Sequence, residues 1–172
     1  MTNTLTMSMY QASVPTYTHM LSNLSAILNK AGAYVEAKKF DPAVLIGSRL
    51  YPDMLPLGRQ VQIAGDGAKG SAARLAGLEA PKYEDDEKTF PELCERLQKT
   101  INFLQTFTPG QIDGSENRTI TLTRGSQSTT FLGLPYLLHH ALPNFYFHVT
   151  TAYNILRHNG LEIGKRDFLG KA

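Results

Sequence analysis

Residues 131–156 read FLGLPYLLHHALPNFYFHVTTAYNIL and contain no Asp, Glu, Lys or Arg over 26 positions. That is long enough to cross a bilayer. The composition argues against it, because Pro135, His139, His140, Pro143, Asn144, His148 and Asn154 would be expensive in hydrocarbon. An uncharged segment too polar for lipid is instead a helix buried around most of its circumference by its own protein. Leu134, Leu138, Ala141, Phe145, His148, Ala152 and Ile155 recur at spacings of three and four. They predict a helix from about Pro135 to His158, closed by Asn159-Gly160.

Such a helix needs neighbours, and three further apolar stripes supply them. Val14, Tyr17, Leu21, Leu24, Leu28 and Ala31 predict a first long helix that fades between Gly32 and Lys39, after which Asp41-Pro42 opens a short turn. Leu57, Val61, Ala64, Ala68 and Leu75 predict a second, from Asp53 or Pro56 to Gly77. Thr89-Phe90-Pro91-Glu92 is a capping box that opens the third. Phe90, Cys94, Leu97, Ile101 and Leu104 form its inner stripe, with Glu92 and Arg96, and Glu95 and Lys99, paired four apart on its outer surface. On this spacing Cys94 is a buried, unreactive thiol. Past Pro109-Gly110 the period drops to two around Ile120 and Leu122, and Arg124-Gly125-Ser126 makes a turn before Thr129, Thr130 and Phe131. The expected fold is all-α: one domain over residues 1–172, four helices, and a small β-hairpin between helices three and four.

Composition narrows the function classes. The chain has 172 residues, enough for one good core. A net charge of +2 from scattered Lys and Arg lacks the basic stripe of a nucleic-acid binder. One cysteine excludes an internal disulfide framework, and the opening MTNTLTMSMYQ lacks the basic and apolar regions of a secretion signal. The expected location is cytoplasmic, with neither membrane nor nucleic acid as partner.

Candidate site residues come from polar groups in unexpected places. His148 interrupts an apolar stripe, Asn144 lies one turn before it and His140 one turn before that. Imidazole and amide oxygen at this spacing suit a divalent metal or a bound substrate. The alternative is a core histidine satisfied by a nearby carbonyl or hydroxyl. Pro143 cannot donate to the carbonyl of His139, so a freed carbonyl and a bend are expected one turn from His148. In helix two, Arg59, Gln62, Asp66 and Lys69 share one arc opposite the apolar stripe. That arc is a solvated face with local Asp66 to Lys69 pairing, unless the C-terminal segment or a second subunit covers it, in which case Asp66 and Gln62 become site residues. Gly65, Gly67 and Gly70 give up about 3 kcal/mol of helix propensity together, which suggests close approach of a backbone or ligand. The GDGAKGS run at 65–71 lacks the order and the preceding strand of a phosphate loop.

The block from Leu142 through Pro143, Asn144, His148, Tyr153 and Arg157 to Gly160 resembles the DinB/YfiT-like superfamily. It is similar in particular to a bacterial branch described only as a domain of unknown function. Pro56 to Asp66, Ala73 to Gly77 and Gly164 to Gly170 resemble that branch too. The resemblance implies an up-down-down-up four-helix bundle, often a homodimer. It also implies, in many members, a divalent metal on one histidine from helix two and an HxxxH pair from helix four; some relatives are thiol-dependent transferases. His148 matches the second histidine of the pair by its twelve-residue distance to Gly160, Asn144 stands at the first, and Pro56 to Gly77 contains no histidine.

The leading expectation is thus a binding protein with a degenerate metal site, no assigned cofactor and an unidentified small-molecule ligand. Two alternatives stand beside it. One is a zinc- or nickel-dependent transferase or hydrolase using His148, Asn144 and Asp66; the other is a structural dimer built on helix four.

Overall fold

The computed structural model describes residues 6–170. Four long helices dominate it: α1 (Met9–Lys38), α3 (Leu57–Ala76), α4 (Phe90–Leu104) and α7 (Leu142–His158). Short helices α2 (Pro42–Ile46), α5 (Pro109–Ile112), α6 (Gly133–Tyr136) and α8 (Lys165–Leu169) fill the connections. Strands β1 (Thr119–Arg124) and β2 (Gln127–Leu132) form an antiparallel hairpin with Ile120 opposite Phe131, closed at Gly125, which takes φ 58°. Among the described residues no helix is long and apolar enough to cross a membrane.

Local chemistry sets the helix ends. Ser8 and Gln11 cap α1 reciprocally, and Thr89 and Glu92 do the same for α4. α3 stops at Gly77, whose φ of 72° lets the chain turn left-handed and directs the Leu78 N–H to the carbonyl of Ala73. α1 runs past Gly32 to Lys38 and ends where Lys39 takes the left-handed φ of 56°.

One core joins the long helices. α1 packs on α4, α3 on both α4 and α7, and α1 also touches α3 and α7. At the centre the Tyr17 ring meets Phe145 edge-on at 4.9 Å, and its hydroxyl donates to Ser71 Oγ at 2.9 Å. Burial holds that phenol well above its ordinary pKa, so it stays neutral. α3 and α7 run antiparallel, since Gln60 meets His148 whereas Gly67, later in α3, lies beside Asn144, earlier in α7.

Two stripes differ from the sequence reading. In α4, Leu93 occupies the core and Cys94 is half-buried, its thiol facing the Ser25 carbonyl at 3.7 Å and pushed up in pKa by burial. Preceding α7, residues Leu137–Ala141 form a π turn in which the Leu142 N–H reaches the carbonyl of Leu137. The extra residue in that turn rotates everything upstream by one position. Leu137 and Gly133 are therefore buried, whereas Leu138 and Leu134, which a regular helix would bury, are exposed.

Gly133 sits where this register allows no side chain, because a Cβ there would overlap the backbone carbonyl of Ser115. Gly133→Ala should destabilise the fold by roughly 1 to 3 kcal/mol, read as a lower urea midpoint at unchanged slope.

Candidate functional site

The polar arc of α3 is covered by a loop of the same chain. Residues 78–88 lie over it. Gln62 accepts from Arg59 at 2.7 Å and donates to Glu87 at 2.8 Å. Arg96, which the sequence reading placed on the outer surface with Glu92, points inward with only 2% of its side chain exposed. Its Nη1 donates to the Glu84 carbonyl (2.6 Å) and to Glu87 (2.8 Å), and its Nη2 to Asp66 (3.0 Å) and Asp85 (2.9 Å). Burial works against the Arg96 charge, but the Glu87, Asp66 and Asp85 carboxylates outweigh it and raise its pKa. Lys69 completes the cluster by pairing with Asp66 and lying 4.2 Å over the Tyr83 ring. Glu92 is spent on the helix cap, where the Lys88 and Thr89 N–H groups hold its carboxyl below the ordinary range.

His148 belongs to a different environment. It is buried, and its Nδ1 lies 2.7 Å from Gln60 Oε1. Gln60 Nε2 donates to the Leu55 carbonyl at 2.9 Å, which orients the amide so that its oxygen faces the ring. Nδ1 is therefore the protonated nitrogen and Nε2 carries the lone pair. Burial first, and the charge of Arg124 second, lower the His148 pKa and keep it neutral. Gln60 was missed in the sequence, although it lies three residues after Leu57 and four before Ala64. A polar residue on the apolar stripe of α3 is the same signal that singles out His148 on α7.

His140, Asn144 and Asp66 come together elsewhere, in a cleft of about 270 Å³ between α3, the hairpin and the π turn. Arg74, Arg124 and Tyr136 line it too, and neither His148 nor Gln62 does. His140 stacks on Tyr136 with centroids 5.9 Å apart and lies 5.3 Å from Phe131. Desolvation, then Arg124 and Arg74, lower its pKa. Arg74 donates to the Tyr136 hydroxyl at 3.2 Å. Neither arginine stood out in the sequence, since the positive charge at this spot exists only once β1 folds against α3.

The donor set does not fit the three-histidine metal site that the DinB resemblance implies. Among the described residues no group of three His, Cys, Asp or Glu could hold an ion. His148 offers one nitrogen, Asn144 an amide, and the Asp66 carboxylate is already engaged by Arg96 and Lys69.

Comparison with known proteins places this geometry in a family. Residues 9–169 match the family described as "Domain of unknown function (DUF1993)". The crystal structure of a DinB family member protein from Shewanella denitrificans is 44% identical, over 95% of this chain and 92% of that one, with a TM-score of 0.86. No curated protein matches significantly. The chain belongs to the DUF1993 family, a DinB-like domain of unknown function.

Of the α3 glycines, Gly65 lets α4 approach, since a Cβ there would lie 3.4 Å from Thr100 Oγ1, whereas Gly67 forms part of the cleft wall. A Cβ at Gly67 would lie 3.7 Å from Asn144 Nδ2, an ordinary contact. Close packing therefore does not explain this glycine. Gly67→Ala should stabilise the protein by about 0.4 to 1 kcal/mol, measurable as a higher urea midpoint, while narrowing the cleft.

Proposed function

We propose that this chain is a small-molecule-binding DinB-like domain that works without a resident divalent metal, as a cytoplasmic homodimer. The donor set carries the reading: one turn before His148, whose Nδ1 is held by Gln60 at 2.7 Å, stands Asn144 and not a histidine. The Gln60 hydrogen bond engages one nitrogen of the single imidazole that matches the resemblance, in a surrounding that supplies no second histidine. A structural or catalytic zinc draws on three or four strong donors, and this site offers one. In this reading the binding site is the cleft of His140, Asn144 and Asp66, with Gln62 and His148 as supports to its walls.

The four long helices are taken as an up-down-down-up bundle, which agrees with the antiparallel course of α3 and α7 and with the DinB family relative. Leu132, Leu134, Leu138 and Phe147 are exposed around α6 and α7, and an apolar surface of this kind suits a two-fold interface. Nucleic acid and membrane are not partners in this reading, given the scattered charges and their small net value. A second reading, metal-assisted transfer or hydrolysis on His148, Asn144 and Asp66, draws support from the Nε2 lone pair. It requires Asp66 to leave Arg96 and Lys69.

Purified protein should carry well under one equivalent of zinc, nickel or iron per chain by elemental analysis. A stoichiometric metal that disappears in His148→Ala would establish the second reading instead. Light scattering at micromolar concentration should report twice the 19.0 kDa chain mass, and a 19.0 kDa species would refute the dimer.

A further inference from the structure

We propose that the cleft between α3, the hairpin and the π turn recognises the oxyanion group, phosphoryl or carboxyl, of a small molecule, with Arg74 and Arg124 as its charge partners. This deepens the binding reading and rests on it.

The argument starts from how the arginines around α3 are matched. Arg59 and Arg96 both pair with carboxylates. Arg74, in the last turn of α3, and Arg124, at the end of β1, line one cleft, and among the described residues neither makes an ion pair. Among the described residues the Arg74 guanidinium hydrogen-bonds only to the Tyr136 hydroxyl. Asp66 is the one carboxylate in the wall, and Arg96 and Lys69 already neutralise it. The cleft therefore has an uncompensated positive charge. His140, in the same cleft, is lowered in pKa by desolvation first and then by this pair of arginines, as their proximity requires. Guanidinium groups present paired N–H donors that match the oxygen spacing of a phosphoryl or carboxyl group. The half-buried Asn144 side chain adds an amide that makes no hydrogen bond among the described residues.

Size and shape limit the rest of the ligand. The cleft holds about 270 Å³, and a neighbouring cavity of about 240 Å³ shares Leu122, Arg124 and His140 with it and is lined by Phe131. Together they reach the volume of a small-ligand site. The second cavity supplies apolar and aromatic surface next to the charge, so a ring attached to the oxyanion would have a place to lie.

The test is calorimetric titration at low ionic strength with EDTA present, using phenyl phosphate, inorganic phosphate and benzoate as probes. Wild type should bind at least one of them. Arg124→Gln and Arg74→Gln should each weaken that binding about tenfold, as expected for loss of one charged hydrogen bond. Lys38→Gln, an equal charge loss on the exposed end of α1, should leave it unchanged. Phenyl phosphate favoured over inorganic phosphate supports use of the second cavity, and benzoate favoured over both assigns a carboxylate ligand. Arg124 lies on the exposed end of the hairpin, and a thermal melt of each variant separates lost binding from lost folding. Absence of binding at millimolar probe in protein that purifies without metal overturns this proposal alone. Equal weakening by Lys38→Gln overturns it as well. Binding that appears only with added zinc, and is lost in EDTA, overturns both this proposal and the metal-free reading.

Discussion

Pro143 has no amide hydrogen, and much of the site follows from that. A regular helix would ask residue 143 to donate to the carbonyl of His139. Here the chain widens by one residue, and the Leu142 N–H bonds to Leu137 instead. The wider turn moves Leu137 and Gly133 into the core and leaves Leu138 and Leu134 outside. It also carries His140 onto Tyr136 and Phe131, at the mouth of the cleft, while His148 below the turn keeps its place against Gln60. Without the added residue, His140, Asn144 and His148 would project from neighbouring faces of one helix. With it only His140 changes phase; Asn144 and His148 both stay in regular α7, the first at the cleft and the second in a core hydrogen bond.

The second constraint is the buried guanidinium of Arg96. A charge removed from water needs several partners to be tolerated, and this one gathers Glu84, Asp85 and Glu87 from a loop and Asp66 from α3. The loop is fastened over α3 as a result. The same arrangement fixes the chemistry of Asp66, which forms part of the cleft wall with its charge already matched. Arg74 and Arg124 remain as the unmatched charges, and the character of the cleft passes from acidic to basic.

These two constraints shape a set of side chains that differs from the three histidines its DinB likeness implies. Asn144 stands at the first histidine position of the pair and His148, at the second, is held by Gln60, while in the proposed reading charge recognition falls to Arg74 and Arg124. A side chain that donates to a fixed amide serves packing and orientation whether or not a ligand is present.

How much of this was legible in the sequence divides along a physical line. The long helices, their caps at Thr89 and Gly77, the hairpin around Gly125, and the family follow from residues close in the chain, because periodicity, capping and turn conformation are local. His148 and Asp66 were visible as polar residues out of place. The local pairing of Asp66 with Lys69 was visible too, but Gln60 and Arg96 were not, because Gln60 lies 88 positions from His148 and Arg96 lies 30 from Asp66. The sequence by itself determined which segments are helical, which faces are apolar and that Pro143 interrupts a hydrogen-bond ladder. Only the tertiary structure decided that the interruption becomes a π turn, that Arg96 turns inward and that Arg74 meets Arg124 across a cleft. Helix phase and charge matching depend on what packs opposite, and no local pattern carries that information.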